Sequence, residues 1–188
     1  MEISLIRHGK SLCVDSAGIT CMDFHNWVDE YDRSSVMEET GLPPVTLEKV
    51  TSAGIVVTSD LLRAIDSSRL LGAKGGLSDP IFRETELPRV VAKGLRMRAS
   101  LWAVWSRLLW FCGYAKQCES LSEAKARAEV AAEKLIGFAK EHGSVVLVGH
   151  GFFNMLIAKE LKKRGWAGPG KPSSKHWSCT SYFSESDT

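Results

Sequence analysis

The sequence predicts an α/β fold of three layers, in which a mostly parallel central sheet is covered by helices on both faces. Short, continuously apolar runs such as ISLI (3–6) and SVVLV (144–148) are typical of strands buried on both faces. Helical segments separate these runs along the chain, as expected for a parallel sheet. With 188 residues, 44% of them hydrophobic, we expect a single domain over residues 1–188.

The strands and helices follow from local signals in chain order. GIVVTSD at 54–60 predicts a second strand, at whose end Ser59 or Asp60 could cap a helix that ends at Gly72. LSDPIFRE at 77–84 predicts a weaker third strand, and its proline favours either an edge position or a late start of the strand. The capping box at 120–123 predicts the start of a helix that ends at Gly143. Another helix is predicted over 152–165, and a last strand over 176–184.

A tryptophan-rich segment predicts one more helix, before Gly113. Its large apolar residues recur at near-helical spacing, which predicts a core-facing stripe of Leu95, Leu101, Trp102, Trp105, Leu108 and Leu109. Core packing is the expected role of Trp102, Trp105 and Trp110 as well, and the alternative is a cap over a site.

Bulk composition limits the possible partners. A net charge of +2 gives no strong overall field for nucleic acid or membrane, so any anion binding must be local. Five scattered cysteines without a C-x-x-C pair indicate a reduced, cytoplasmic protein without a zinc site. No cofactor and no metal are expected.

Chemistry-bearing residues follow several predicted strands. Arg7 and His8 end the first strand, Arg63 lies in the first helical turn after the second, Glu84 follows the third, and His150 ends the fourth. The carboxyl ends of parallel strands form one crevice, so we expect these side chains to meet there.

These residue types suit phosphoryl chemistry. Two arginines can hold a phosphoryl group by multidentate hydrogen bonding, and helix N-termini add backbone donors. Positive charge around an imidazole lowers its pKa and keeps it neutral and nucleophilic, while its other nitrogen must donate to a fixed acceptor. A second, protonated histidine could stabilise the charge on the moving phosphoryl oxygens, and a carboxylic acid could protonate the leaving oxygen.

Four segments, LIRHGKS, VVTSDLLRAIDSS, FRETE and VVLVGHG, resemble in order and spacing the signatures of the histidine phosphatase, or phosphoglycerate-mutase-like, superfamily. The resemblance runs from Ile3 to about Leu161, and CESLSEAKAR and WSCTSYFS also resemble later family segments. It implies a phosphoglycerate-mutase-like fold and a metal-independent phosphatase that forms a phosphohistidine.

Carried onto this sequence, the resemblance implies that His8 is the nucleophile and Glu84 the acid/base, with Glu86 as the alternative acid. Arg7, Arg63 and His150 would bind the phosphoryl group. Substrate contacts are also expected from Ser11 and Gly151. The expected substrate is a small phosphate monoester, and a phosphoprotein is the second choice.

Departures from the family pattern bear on the substrate. Ser11 and Val14 stand where many members have threonine and asparagine, and TELPRVVAKG replaces a glycine–tryptophan–glutamate–glycine type element. Both changes disfavour a mutase or phosphotransferase, which remains the enzymatic alternative. A catalytically weak protein that binds phosphorylated ligands is the non-enzymatic alternative.

Two segments could form lids, over residues 20–40 and 88–118. The first contains aromatic and acidic residues, so it is either a solvated face or a lid that selects against strongly acidic substrates. Lys10 is expected at the rim. His25, His142 and His176 have no partner pattern and are expected to be non-catalytic.

Overall fold

The computed structural model describes residues 1–14, 18–92 and 94–184. Within these residues the strands are Glu2–Arg7 (β1), Ile55–Thr58 (β2), Leu77–Ser78 (β3), Ser144–Gly149 (β4) and Cys179–Phe183 (β5). The α-helices are Cys21–Arg33 (α1), Pro44–Ser52 (α2), Leu62–Leu70 (α3), Ala99–Phe111 (α4), Leu121–His142 (α5) and Gly151–Lys163 (α6).

The five strands form one sheet in the order β3-β2-β4-β1-β5. All pairs are parallel except β1 with β5, which is antiparallel. Arg7 pairs with Gly149 and Thr58 with Val148, so β1, β2 and β4 end at the same level. The predicted three-layer α/β fold with a mostly parallel sheet is confirmed.

Successive residues of the central strands pack on opposite faces of the sheet. Leu5 and Leu147 belong to a core shared with α5 and α6. Ile6 and Val148 belong to a second core, shared with α2 and the end of α3. This alternation follows from the period of two in a strand, and it explains why the strand sequences are apolar on both faces.

Three local expectations are wrong. The third strand lies at the edge of the sheet as expected, but its predicted extent is wrong. It has only two residues, because Pro80 begins a 3-10 turn over Pro80–Phe82 that carries the chain to Glu84. Neither Ser59 nor Asp60 caps α3, since Leu61 is its N-cap residue and makes no side-chain capping bond. The capping box of α5 forms as predicted, with Ser120 and Glu123 bonding reciprocally.

The predicted core stripe of α4 is the third error. Trp102 and Trp110 are buried as expected, but Leu101, Trp105 and Leu108 are exposed. The helix buries its other side, which carries small residues as well as tryptophans, because α1 packs there through Cys21 and Phe24. Within the described residues no helix is both long enough and apolar enough to cross a membrane.

Candidate active site

The ends of β1 and β4 bring two histidines together. The ring centroids of His8 and His150 are 5.1 Å apart, and both side chains are buried. The contact follows from the register, because each histidine directly follows one member of the Arg7–Gly149 pair. The two residues therefore lie together at the carboxyl ends of the central strands, where the sequence predicted them.

The backbone fixes the orientation of the His8 ring. Its Nδ1 lies 2.7 Å from the Gly9 carbonyl oxygen, which can only accept, so Nδ1 carries the proton and Nε2 the lone pair. The Gly9 amide donates to Ser67 Oγ at 2.8 Å, which ties this loop to α3. A side chain on Gly9 would meet the Trp177 indole at 2.0 Å, so only glycine fits at this position.

Both arginines reach this cluster. Arg63, in the first turn of α3, is buried and lies over the Tyr31 ring at 4.7 Å. Its Nη1 donates to Asp32 Oδ1 at 2.9 Å and to the Tyr31 carbonyl at 3.2 Å. Arg7 donates from Nη1 to the Ser174 carbonyl. A Cβ on Gly151 would lie 3.3 Å from Arg7 Nε, so the glycine lets Arg7 lie close to the start of α6.

Three buried nitrogens of this cluster have no hydrogen-bond partner among the described residues. They are Arg7 Nε, Arg63 Nε and His150 Nδ1. The other nitrogen of His150, Nε2, is 2.7 Å from Ser59 Oγ. Buried polar atoms are usually satisfied, so three unpaired nitrogens in one cluster favour an external anion as their partner.

Burial and positive charge act together on the histidines. Burial first, and then the Arg63 guanidinium, hold the pKa of His8 well below its usual range, and Arg7 adds to the effect. The pKa of His150 is also held far below its usual range, again by burial and then by Arg63. Both imidazoles are therefore neutral at pH 7 in the unliganded protein, and the expectation of a protonated second histidine is wrong for this state.

Glu84 and Glu86 have different surroundings. Glu84 accepts hydrogen bonds from the amides of Phe152 at 3.0 Å and Phe153 at 2.8 Å, in the first turn of α6. The neighbouring amide of Thr85 also donates to it, at 2.9 Å. Glu86 is exposed. Only Glu84 is thus held against the helix that starts just after His150.

A cavity of about 500 Å³ opens beside Glu84 and Arg63. Its wall is partly aromatic and apolar and partly charged, which suits a small organic group with polar substituents. The cavity lies between α1, α4 and the chain after β3, and its lining includes Trp27, Tyr31, Asp32, Leu87, Ala103 and Arg107. Both expected lid segments thus contribute residues to this wall.

The remaining expected site residues differ in position. Ser11 is buried, and its hydroxyl accepts from the Cys13 amide at 3.1 Å. No hydrogen bond joins Ser11 to either arginine or to His8 in the described residues. Lys10 is exposed, in agreement with a rim position.

Sequence reasoning missed several neighbours of the two histidines. His176, expected to play no part, lies 5.4 Å from His8 between ring centroids, and its Nδ1 is 2.8 Å from the His8 carbonyl oxygen. Tyr31 and Asp32 were considered only as parts of a lid, not as partners of Arg63. Ser59 was expected to cap a helix. No local pattern marks His176, because only the return of the loop before β5 brings it to β1.

Among the described residues, no group of three or more histidine, cysteine, aspartate or glutamate side chains could hold a metal ion. The free cysteines are Cys13, Cys21, Cys112, Cys118 and Cys179.

Most of the chain matches a known protein family. A family model described as the histidine phosphatase superfamily, branch 1, matches residues 45–182. The match includes Arg63, Glu84 and His150, whereas Arg7 and His8 precede it. A search of curated proteins finds no match to this sequence.

Solved structures share the fold at low sequence identity. The product of open reading frame Rv3214 of Mycobacterium tuberculosis is 16% identical, with a TM-score of 0.62 over 99% of this chain and 92% of that one. TTHB049 of Thermus thermophilus is 22% identical, with a TM-score of 0.58 over 96% of this chain and 92% of that one. The mycobacterial glucosyl-3-phosphoglycerate phosphatase Rv2419c is 22% identical, with a TM-score of 0.56 over 86% of this chain and 79% of that one.

Proposed function

Because the chain belongs to the histidine phosphatase superfamily, branch 1, we propose that it hydrolyses a phosphate monoester through a phosphohistidine on His8. The observation that carries the proposal is the cluster of buried, unpaired nitrogens on Arg7, Arg63 and His150 around a neutral imidazole. A phosphoryl group supplies the acceptor oxygens that such a cluster lacks.

In the first step the Nε2 lone pair of His8 attacks phosphorus in line with the leaving oxygen. The Gly9 carbonyl holds the proton on Nδ1, so Nε2 reacts without losing a proton first. Arg7 and Arg63 bind the phosphoryl oxygens, which carry the charge of the transition state. Ser59 can donate to His150 Nε2, and this leaves the His150 proton on Nδ1 as a further donor.

Glu84 supplies the proton. Its carboxylic acid protonates the leaving oxygen as the P–O bond breaks, and its carboxylate then takes a proton from the water that attacks phosphohistidine. Its position between the start of α6 and the cavity suits both steps. Hydrolysis returns His8 to its neutral form and releases inorganic phosphate.

We further propose that the leaving group occupies the cavity of about 500 Å³. That volume fits a small phosphorylated metabolite better than a folded protein surface, so a small molecule is the preferred substrate class and a phosphoprotein the second choice. Residues 20–40 and 88–118 would act as lids, because both contribute to the cavity wall.

The test compares the wild type with His8→Ala, and with His142→Ala as a matched control at an exposed histidine. Assays use an aryl phosphate and a panel of metabolite phosphates, without added metal and with a chelator. We expect His8→Ala to lose activity by about three orders of magnitude, as for loss of a nucleophile, and His142→Ala to keep it. An acid-labile phosphoenzyme should form only when His8 is present.

Three results would contradict the proposal. Equal trace activity in the wild type and His8→Ala would leave no catalytic role for this residue. Activity that survives in His8→Ala and disappears with chelator would show a metal-dependent reaction instead. Transfer of the phosphoryl group to an added alcohol in preference to water would indicate a phosphotransferase.

A further inference from the structure

The outer face of α4 exposes an apolar stripe, which the candidate active site does not use. Its side chains recur every three or four residues, with exposed fractions of 52% for Leu101, 57% for Val104, 51% for Trp105, 57% for Leu108 and 49% for Phe111. At 100° per residue, this stripe lies opposite the buried side of the helix. Both sides of α4 are therefore apolar, as is expected of a helix that is covered on both.

The stripe is large for an exposed surface. Five side chains of this size, each about half exposed, present on the order of 500 Å² of apolar area, which is in the range of functional patches on monomers. The helix contains one charged residue, Arg107, and it turns away from the stripe onto the rings of Trp110 and Phe152. The stripe itself is thus uncharged.

The segment around the stripe is strongly basic. Residues 87–118 contain six Lys and Arg residues and no Asp or Glu, which leaves 18 basic and 22 acidic residues in the rest of the chain. The segment is therefore +6 and the remainder −4. The small net charge of the whole chain hides this asymmetry.

Cations flank both ends of the stripe. Arg98 is the N-cap residue of α4, and Arg89 and Lys116 pair through their backbones beyond its C-terminal end. All three side chains are exposed, and none of them has a carboxylate within ion-pair distance in the part of the chain that the structure describes. Arg96 differs, because it interacts with Asp23 of α1.

We propose that this face of α4, with its flanking cations, docks on an anionic phospholipid bilayer. An apolar stripe with tryptophan, phenylalanine and leucine, bordered by basic residues, is the pattern of helices that lie in the membrane interface. The cations would contact lipid phosphates while the stripe enters the headgroup boundary. The expectation of no membrane partner came from the small net charge and from the lack of an apolar run long enough to span a bilayer. Docking on a bilayer surface needs neither a spanning run nor a large net charge, and the local charge asymmetry revises the expectation.

Charge and area disfavour a second copy of the chain as the occupant. Two segments of charge +6 would face each other across a two-fold axis, and like charges at an interface oppose association. A standard interface also buries about 800 Å² on each partner, which is more than this stripe supplies. A bilayer has neither limitation, because its charge is negative and its surface extends beyond the stripe.

The test is sedimentation with sucrose-loaded vesicles of phosphatidylcholine alone or with about 30% phosphatidylglycerol, at low salt. We expect the wild type to bind only the anionic vesicles. Trp105→Ser/Leu108→Ser should reduce the partition coefficient about tenfold, whereas Val45→Ser/Val130→Ser, at exposed apolar sites elsewhere, should change it less than twofold. Reversal of the flanking cations in Arg98→Glu/Lys116→Glu should reduce it by a similar factor.

Lys125→Glu/Lys140→Glu is the matched control for charge, because it makes the same change of charge at exposed positions of α5. Circular dichroism should be unchanged in Trp105→Ser/Leu108→Ser, so that a loss of vesicle binding is not a loss of folding. Vesicle binding is measured without substrate, which makes its outcome independent of the catalytic proposal. Three results would overturn the docking proposal: no binding to anionic vesicles, equal losses in the control pairs, or a dimer that Trp105→Ser/Leu108→Ser dissociates.

Discussion

At the scale of the residue, the chemistry proposed for the site depends on which carboxylate is held beside the cluster of two arginines and two histidines. Glu84 bonds to the first amides of α6, whereas Glu86, two residues on, is exposed. From the sequence both could be the acid, because an extended segment puts residues i and i+2 on one side. The 3-10 turn before Arg83 and the position of α6 separate them, and neither is visible in the local pattern.

We therefore expect Glu84→Gln to lower kcat by about 100-fold or more on alkyl phosphates, in the range of general acid catalysis. The loss should be smaller on an aryl phosphate with a good leaving group, because that oxygen departs without a proton. Glu86→Gln is the matched control, and its kcat should stay within about threefold of the wild-type value on both kinds of substrate. A larger loss in Glu86→Gln than in Glu84→Gln would assign the acid to Glu86.

Asp32 pairs with Arg63 in the unliganded protein, and under the proposed function it would compete there with a bound phosphoryl group. Its carboxylate pairs with the Arg63 guanidinium at 2.9 Å, although the aspartate side chain is itself 48% exposed. A phosphoryl group bound to Arg63 would lie near this negative charge, at a cost of about 1 kcal/mol in high dielectric. This contact gives a physical basis for the expectation that the 20–40 segment selects against acidic ligands.

Asp32→Asn should therefore tighten the binding of inorganic phosphate as a competitive inhibitor by about threefold to tenfold. Asp29→Asn, an exposed acid on the same helix, should change the inhibition constant far less. Because screening weakens the repulsion, the difference should shrink as salt rises. Unchanged or weaker phosphate binding in Asp32→Asn would mean that Asp32 positions Arg63 rather than competing with the ligand.

At the scale of the element, sequence patterns worked where local signals define the ends of a helix. The capping box of α5 and its end at Gly143 were readable because local hydrogen bonds and a glycine with positive φ define the two ends of that helix. On α4 the apolar periodicity chose the wrong side. With both sides apolar, periodicity cannot tell which one packs on α1, so Trp105 was placed in the core although it is exposed.

The capping box of α5 also permits a stability prediction. The Ser120 hydroxyl accepts from the Glu123 amide at 3.2 Å, while Glu123 accepts from the Ser120 amide at 2.7 Å. Ser120→Ala should lower the free energy of unfolding by about 1 kcal/mol, since it removes one of these bonds at the start of the longest helix in the described residues. Denaturant unfolding measures the change.

Ser122→Ala is the control for Ser120→Ala, because this serine is exposed two residues later on the same helix and takes no part in the capping box. Its substitution should be neutral or slightly stabilising, since alanine is the better helix former. Equal destabilisation by both changes would mean that the cap contributes nothing.

At the scale of the whole molecule, topology assembles the site. Parallel pairing of β1, β2 and β4 fixes where Arg7, His8 and His150 emerge, so strand recognition was enough to gather them. Contacts that depend on long connections were not predictable in this way. His176 reaches His8 from a loop more than 160 residues away in sequence, and no periodicity encodes that return.

The two buried histidines also link folding to pH. Burial and the arginines keep the pKa of each far below its usual range in the folded chain, whereas in the unfolded chain it returns to about 6.5. Below about pH 6.5 the unfolded chain therefore binds protons that the folded chain does not, and the free energy of unfolding falls as pH falls. Between pH 7.5 and 5, each histidine should contribute a slope of at most about 1.4 kcal/mol per pH unit.

Replacing either histidine should flatten this dependence. We expect His8→Asn and His150→Asn each to reduce the loss of stability between pH 7.5 and 5, measured by urea unfolding at several pH values, whatever their effect at pH 7.5. His142→Asn, at an exposed position, should leave the slope unchanged. The slope is the informative quantity, because a packing defect lowers stability at every pH while the loss of a proton-binding site changes only the slope. A slope in His8→Asn equal to that of the wild type would mean that the pKa of His8 is the same in the folded and the unfolded chain, and the lowered pKa of His8 would then have to be abandoned.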